Sequence, residues 1–199
     1  MSGPVVSAVR VRPAAPHEYD RVADLVELGF RNGPYGHFPV SAARTALVRD
    51  SAGRAAAGAL LVAVDESSSG AGSPDHRCAD APGVSLLGTA SLLRAGEAGS
   101  RLAHAGEAEL RLIAVAPEAR GRGIGETLVR AALDEATRWG VDAVVLDTGS
   151  LNLPAQRLYE RVGFQRQYDR MPGGLGGPGS PDEIPPLVYS FGVPPSTRL

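Results

Sequence analysis

The spacing of apolar residues alternates along the chain between the helical and the extended period. Helices are predicted where apolar positions recur every three or four residues, and three local signals support them. Ser41 is a capping residue, Pro154 suits a first helical turn, and Gly140 suits a C-cap. The predicted helices are Pro16–Phe30, Ser41 to about Arg54, Gly123–Trp139 and Leu153–Arg161.

Short apolar or alternating runs predict strands between these helices. The run Ala143–Thr148 is typical of a parallel strand that is covered on both faces. Because strands and helices alternate in the second half, the sequence predicts an α/β fold with a parallel strand pair. The predicted strands are Ala8–Arg12, Ala59–Val64, Val84–Leu93, Glu109–Val115, Ala143–Thr148, one starting at Gly163-Phe164, and Leu187–Phe191.

Two segments lack the residues needed to build a core. Asp65–Gly83 contains no large apolar residue, and Pro172–Pro186 consists mainly of glycine and proline. Neither buries enough apolar surface to offset the entropy of ordering it, so we predict flexible insertions at about 65–83 and 172–186. Cys78, inside the first, is interpreted as an incidental exposed thiol.

The composition excludes several classes of chemistry. The chain has 199 residues and a mass of 20.6 kDa, which suits one domain with its own core. Its 20 basic residues are all arginine, which excludes Schiff-base lysines and the lysine-containing phosphate loop. The single cysteine excludes an intramolecular disulfide, and the four scattered histidines show no metal-ligand spacing. We therefore expect no metal.

Charge and hydropathy indicate partners and location. A formal net charge of −2 argues against nucleic acid or an anionic membrane as the main partner. The N-terminal residues lack the pattern of a signal peptide, and no stretch approaches 18 consecutive apolar residues. We expect a cytoplasmic protein.

The segment Arg120–Gly125 carries the clearest chemical signal. It joins a predicted buried strand to the longest predicted helix, and its glycines stand at every second position. The first turn of a helix has unpaired N–H groups and a partial positive charge, and glycines let a bulky anion approach the backbone. This arrangement predicts a pyrophosphate site. The glycine spacing fits R-x-x-G-x-G, whereas it does not fit G-x-G-x-x-G.

Together with its surroundings, this segment resembles the GCN5-related N-acetyltransferase (GNAT) superfamily. The strand LIAV precedes it, and Asn152–Phe164 matches N-x-x-A-x-x-L-Y-x-x-x-G-F. The upstream GEAELRLIAV is similar to that of bacterial members whose acceptors are small molecules or unassigned.

The resemblance implies a mixed α/β fold and a reaction. The fold would be a mostly antiparallel central sheet with a splayed parallel strand pair, flanked by about four helices, in a single acyl-CoA N-acyltransferase domain over residues 1–199. An amine of a small molecule or peptide would attack acetyl-CoA, the cosubstrate, directly in a ternary complex. The protein would be a monomer or homodimer.

The resemblance also assigns roles to individual residues. The backbone of Ile113, Ala114 and Val115 would pair with the pantetheine arm, and a bulge there would direct one N–H at the thioester oxygen. Tyr159 would protonate the departing thiolate, although it could equally be a core aromatic residue. The other cofactor-binding positions would be Arg120, Gly121, Arg122, Gly123, Ile124, Gly125, Glu126 and Asn152. Asn152 could instead cap the following helix.

A carboxylate near the reacting amine could take up its proton. Glu109 is the first candidate, because many members of the superfamily carry a catalytic glutamate six residues before the position of Val115. Strand alternation places Glu107, Glu109 and Arg111 on one side, so Glu107 is the reserve. Alternatively, both glutamates are solvated, or Arg111 merely pairs with Glu109.

The acceptor site and the activity itself leave alternatives open. The resemblance makes residues between the first two predicted helices candidates for an acceptor wall, namely Tyr35, His37 and Phe38. Tyr168 and Tyr189 in the final strands are further candidates, and alternatively all five simply pack. A non-catalytic acyl-CoA-binding sensor would share the loop without needing Tyr159 or Glu109. Transfer to oxygen, or of longer acyl chains, is a third possibility.

Overall fold

A seven-stranded sheet forms the centre of the computed structural model, which describes residues 9–65, 85–170 and 186–194. The strands are β1 (Val9–Pro13), β2 (Gly58–Asp65), β3 (Leu86–Arg94), β4 (Glu107–Val115), β5 (Ala143–Thr148), β6 (Gln165–Gln167) and β7 (Leu187–Gly192). Their order is β1-β2-β3-β4-β5-β7-β6, and β4 and β5 are the only parallel neighbours within this sheet. The predicted mixed, mostly antiparallel sheet is confirmed.

Five α-helices in the described residues cover the two faces of this sheet. They are α1 (Tyr19–Arg31), α2 (Ala42–Arg49), α3 (Ser51–Ala56), α4 (Ile124–Trp139) and α5 (Leu153–Val162). A side chain at Gly88 would meet Leu128 and Ile124 of α4, whereas Ala114 lies against Gly29 of α1. Because Gly88 pairs with Val115, the neighbour of Ala114, α1 and α4 lie on opposite faces.

The long helix α4 provides the largest apolar contribution to the core. Its buried stripe of Leu128, Val129, Ala132, Leu133 and Ala136 follows the predicted helical period. Gly140 ends the helix in the left-handed conformation with φ 70°, as its position predicts. None of the helices in the described parts of the chain is long and apolar enough to cross a membrane.

The prediction of a single helix from Ser41 to about Arg54 is wrong. Ser41 does cap α2, because its hydroxyl accepts the N–H of Arg44 at 3.2 Å. The helix then breaks at Asp50, whose carboxylate accepts the N–H of Gly53 at 2.8 Å and starts α3. The buried Arg54 side chain donates to the carbonyl oxygen of Val48 at 2.8 Å, which satisfies the end of α2. Two helices replace one because a mid-helix aspartate can cap a new helix.

Other predicted boundaries shift by one to three residues. The first helix opens with a 3-10 turn at Pro16–Glu18, and β4 begins at Glu107 rather than Glu109. Gly163 ends α5 with φ 111°, so the next strand starts at Gln165. Of the two predicted insertions, Asp65 belongs to β2 and Pro186 precedes β7, while the rest, including Cys78, lies outside the described residues.

An ion pair with a buried carboxylate connects β1 to the residue that precedes α1. Both nitrogens at the tip of the Arg12 guanidinium donate to Glu18, at 2.6 and 2.8 Å, and the N–H of Ala15 adds a third bond at 2.8 Å. The Glu18 side chain is 2% exposed. The hydrogen bonds from Arg12 lower the pKa of Glu18 from its usual 4.5 to about 2.

We therefore predict that Glu18→Gln removes an acid-sensitive part of the stability. A lowered carboxylate pKa stabilises the fold above pH 4.5, and this contribution is lost as the pH falls toward 2. The variant should lose up to about 3 kcal/mol at pH 7 and much less at pH 3. Urea unfolding at both values measures this, with the exposed Glu97→Gln as the control. A Glu18→Gln deficit that does not change with pH would contradict the prediction.

Candidate active site

The parallel strands β4 and β5 separate soon after they begin to pair. Their register covers only Glu107 to Glu109 against Ala143 to Val145. Beyond that point β4 still pairs with β3, and β5 still pairs with β7. The edges that β4 and β5 turn toward each other are therefore left without a strand partner at their carboxyl ends. Because unpaired backbone groups need partners, this cleft suits an extended ligand with amide groups.

A bulge in β4 lies at the edge of this cleft. Ser91 pairs with Arg111 and Thr89 pairs with Ala114, so two residues of β4 stand opposite Ala90 of β3. Leu112 in the bulge has φ 50°, the only positive value of a non-glycine residue in the described chain. Such a conformation costs about 1–2 kcal/mol, and the packing of Leu112 against α1 and α2 helps to hold it. The bulge predicted near Ile113 is therefore present.

The first turn of α4 opens beside the end of β4. Gly123 occupies the N-cap position and provides no side-chain cap, so the first N–H groups of the helix have no partner within the helix. Gly121 and Gly123 both have φ 77°, and a Cβ on either would meet no atom within 4 Å. Gly125 lies against Leu158 of α5 and Val115 of β4. The loop thus presents backbone amides to an open space at the mouth of the cleft.

Several side chains of this loop are engaged in contacts with the rest of the fold. The Arg120 guanidinium donates to the carbonyl oxygens of Gly29 and Asn32, at 3.2 and 3.0 Å, and so holds the end of α1. Ile124 is buried in the core. Glu126 accepts hydrogen bonds from Arg161 and Arg130, which lower its pKa. The predicted loop contacts are therefore available through the backbone, and most of the side chains serve the fold.

Two residues of the downstream motif belong to α5, one at its N-cap and one inside the helix. Asn152 stands at the N-cap of α5, but its side chain makes no capping hydrogen bond, which removes the capping alternative. Tyr159 is 6% exposed, and its ring lies 5.9 Å from Phe164 and 6.0 Å from Tyr189. Burial, followed by the charge of Asp147, raises the pKa of the Tyr159 phenol. Tyr159 is thus almost fully buried, and its hydroxyl stays protonated at neutral pH.

The shape and polarity of this region fit an acyl-CoA. The uncapped helix with glycines at its entrance suits a diphosphate, and the unpaired edges of β4 and β5 suit the amides of a pantetheine arm. A groove continues along α4 past Glu126 and Arg130. No group of three or more His, Cys, Asp or Glu side chains in the described residues is arranged to hold a metal ion.

Glu109 is the last residue of β4 that pairs with β5, and it is completely buried, with 0% exposure. Its Oε2 atom accepts the backbone N–H groups of Arg101 and Leu102, at 2.6 and 2.7 Å, and the hydroxyl of Ser100 at 3.1 Å. Its Oε1 atom has no hydrogen bond, and the Nε of Arg111 lies 3.2 Å away. Of the alternatives that the sequence left open, solvation of Glu109 is excluded and its pairing with Arg111 is observed.

The same face of β4 organises the rest of the β3–β4 loop. Arg111 donates to the carbonyl oxygen of Gly99. Glu107 accepts the N–H of His104 at 2.8 Å and pairs with Arg170, at 2.9 and 2.5 Å. Glu107, Glu109 and Arg111 therefore share one face, as strand alternation predicts, and all three hold loop 99–104 in place.

The aromatic candidates for an acceptor wall are distributed unevenly. The Tyr35 hydroxyl accepts the N–H of Leu151 at 2.7 Å, and its ring lies so close to Gly149 that a side chain there would overlap it. The rings of Tyr35 and His37 are both tilted against that of Phe38, with centroids 6.2 and 4.3 Å away. Tyr168 is 74% exposed. Tyr189 is instead a core residue that donates to Glu160 at 3.2 Å.

Sequence reasoning did not single out Asp147, which forms an ion pair with Arg101 of the β3–β4 loop. Asp147 lies two residues past the last β5 residue that pairs with β4, so it borders the cleft. A polar residue that follows an apolar run at the carboxyl end of a parallel strand was the available signal, because ligands bind at such strand ends.

Comparison with known proteins gives the family. The model of the acetyltransferase (GNAT) family matches residues 45–164, which include the bulged strand, the glycine loop and α5. The chain belongs to the GNAT family. The predicted family is thus confirmed on more than half of the chain.

Individual GNAT relatives match over different lengths. A mycothiol acetyltransferase from Pseudarthrobacter chlorophenolicus is 41% identical over 63 residues, 32% of this chain and 20% of that enzyme. The ribosomal-protein-S18-alanine N-acetyltransferase of Escherichia coli has a similar fold, with TM-score 0.61, 14% identity, and coverage of 96% of this chain and 99% of that one. A GNAT acetyltransferase from Brucella melitensis, solved with acetyl-CoA, has TM-score 0.57, 20% identity, and coverage of 96% and 92%.

We predict that Glu109→Gln destabilises the fold by about 3 kcal/mol at neutral pH. The change leaves Arg111 buried without its counter-charge, and breaking a buried pair by removing one partner is costly. Guanidinium unfolding measures the loss. Glu107→Gln is the matched control on the same strand, and because its pair with Arg170 is partly exposed we expect about 1 kcal/mol.

A second substitution shows how much of the stability loss in Glu109→Gln comes from the unpaired charge of Arg111. Removing the unpaired cation from the Glu109→Gln variant with Arg111→Met should recover part of the lost stability. A Glu109→Gln protein as stable as the unmodified one would show that the buried pair does not hold the loop.

Proposed function

We propose that this GNAT protein transfers an acetyl group from acetyl-CoA to an amine of a small molecule or peptide. The observation that supports this proposal is the cleft between β4 and β5, with the uncapped backbone N–H groups of the first turn of α4 at its mouth. Bound acetyl-CoA would supply the thioester that the amine attacks directly. Kinship with acetyltransferases supports the choice of donor.

The backbone would hold and polarise the donor. The edge of β4 from Ile113 to Val115 would pair with the pantetheine arm, and the loop Arg120–Gly125, with the N–H of Glu126, would bind the diphosphate. A backbone N–H of the bulge, aimed into the cleft, would stabilise the negative charge that develops on the thioester oxygen. Packing around Leu112 would keep this donor in position before the substrates arrive.

Tyr159 would give its proton to the departing thiolate. Its phenol is kept protonated by burial, and Leu158 beside it lies against Gly125 of the loop. Asn152, free of a capping bond, would contact the donor near the pantetheine. The base role predicted for Glu109 stays a prediction, since three hydrogen bonds already occupy Oε2 and only Oε1 is left.

We predict that alanine at Gly121 or Gly123 weakens CoA binding at least tenfold. Each position has φ 77°, so a side chain strains the loop and occupies the space meant for the diphosphate. Gly140→Ala is a matched control, because Gly140 has φ 70° and equally open surroundings at the far end of α4. All three variants should lose about 1 kcal/mol of stability, and calorimetric titration with CoA separates them. Equal weakening in all three, or normal binding in the loop variants, would overturn the loop assignment.

We also predict that Tyr159→Phe lowers kcat by about a hundredfold or more and leaves CoA affinity unchanged. The substitution removes only the hydroxyl, and general acids contribute about 10²–10⁴-fold to rates. Tyr189→Phe is the control, since it removes a phenol from the same aromatic cluster. Release of CoA with a panel of amines gives the rates. Full activity of Tyr159→Phe would reduce Tyr159 to a core residue, and absence of turnover with tight CoA binding would favour the sensor.

A further inference from the structure

The ion pair between Arg101 and Asp147 closes the side of the cleft that faces the β3–β4 loop. Val145 packs against Leu102 and Val188, and strand alternation puts Asp147 on the same face as Val145. The side chains of Arg101 and Asp147 are 25% and 18% exposed. They are therefore partly shielded from bulk water but not closed off from a ligand.

The charged side chains in this region differ in how many partners hold them. Glu109 and Arg111 are committed to each other and to loop 99–102, and Glu109 is inaccessible. Arg101 is itself placed by Glu109, because its backbone N–H donates to that carboxylate at 2.6 Å. Its guanidinium, by contrast, forms its hydrogen bond and its ion pair within the described residues with Asp147 of β5.

We propose that Arg101 and Asp147 form the acceptor-binding pair and select an amine that carries a carboxylate close to its nitrogen, as an α-amino acid does. This inference rests on the proposed function and names its acceptor class. Asp147 would bind the ammonium group and Arg101 the carboxylate, so that a zwitterion replaces the internal ion pair. For the reaction, the ammonium would pass one proton to the Asp147 carboxylate, and the neutral amine would then attack the thioester carbon. The second proton that the nitrogen loses would replace the one that Tyr159 gives to the departing thiolate.

The preference for a zwitterion follows from the cost of leaving a shielded charge unpaired. A simple amine could satisfy Asp147, but it would separate Asp147 from Arg101 and leave the guanidinium without a counter-ion. A zwitterion satisfies both groups at once, and arginine is suited to carboxylates because its planar fork can bind both oxygens.

The position of Asp147 relative to the reacting groups supports this assignment. Asp147 stands near the carboxyl end of β5, and the bulge precedes the carboxyl end of the parallel strand β4. The charge of Asp147 acts on both the Tyr159 phenol and the Arg111 guanidinium. An amine held at Asp147 would thus enter the cleft beside the residues proposed for the transfer.

The test compares each of the twenty standard α-amino acids with its α-amide, which keeps the amine and loses the carboxylate. With acetyl-CoA present, at least one amino acid should be acetylated with a kcat/KM ten times that of its amide or more. Calorimetry with the CoA-loaded protein should show the same order of affinity. Amides or peptides that equal or exceed the amino acids, or amino acids that neither bind nor react, would overturn the inference.

Variants of the pair separate acceptor binding from a purely structural role. Asp147→Asn and Arg101→Met should each raise the KM of the preferred amino acid at least tenfold and leave the KM of acetyl-CoA unchanged. Arg101→Met keeps the backbone N–H that Glu109 binds, so the loop is retained. Asp20→Asn and Arg138→Met, two exposed charge changes elsewhere, are the controls and should leave both values unchanged.

Exchange of the two charges gives a second, independent readout. The double variant Arg101→Asp, Asp147→Arg can rebuild an ion pair, so a structural role would be rescued, whereas acceptor binding would not. Rescue of the acceptor KM by the exchange would overturn the inference. Failure of the proposed function gives a different result. A protein that binds an amino acid through this pair, but neither binds CoA nor transfers acetyl groups, would support the acceptor site and contradict the acetyltransferase activity.

Discussion

The constraint on which the site depends is the different pairing of β4 with its two neighbours. Along β3 it pairs to its end, although the bulge at Leu112 shifts the register by one residue after Arg111. Along β5 it pairs for three residues only. A strand that paired fully on both sides would have no free backbone for a ligand. The separation of β4 from β5 therefore gives up hydrogen bonds within the sheet and leaves a cleft lined by unpaired backbone groups. The strained Leu112 is held by its packing against α1 and α2.

Buried charge builds the other wall of the cleft. Glu109 and Arg111 lie inside the protein, where isolated charges are costly, and both bind the backbone of the β3–β4 loop. Each residue of the loop from Gly99 to Leu102 forms a hydrogen bond with this pair. Gly99 accepts one from Arg111, and the other three residues donate to Glu109. A glutamate on β4 can therefore affect acetyl transfer without touching the amine, because it sets the position of Arg101. Loss of activity in a Glu109 variant would be ambiguous unless stability were measured beside it.

Local patterns allowed much of the fold to be predicted, and long-range contacts explain what was missed. The apolar period of α4 and the glycine positions of the loop are set by residues close together in the chain, so they can be recognised in the sequence. The break at Asp50 was missed because its cap competes with a continuing helix of similar composition. The pair of Arg101 with Asp147 joins residues 46 positions apart, and no spacing rule connects them. Residues whose role depends on the tertiary fold therefore cannot be predicted from periodicity.

Burial of Tyr159 is compatible with a chemical role, because a phenol that must deliver a proton has to hold it until the reaction. Desolvation raises the pKa of Tyr159, and the negative charge of Asp147 raises it further. The two proposals are therefore coupled through one carboxylate. The ammonium bound at Asp147, and then the proton it leaves on that carboxylate, would keep the charge compensated once Arg101 turns to the acceptor's carboxylate. An unpaired, charged Asp147 would make the phenol a poorer donor. The site would then favour proton transfer when the acceptor satisfies both members of the pair, which links the choice of acceptor to the departure of the thiolate.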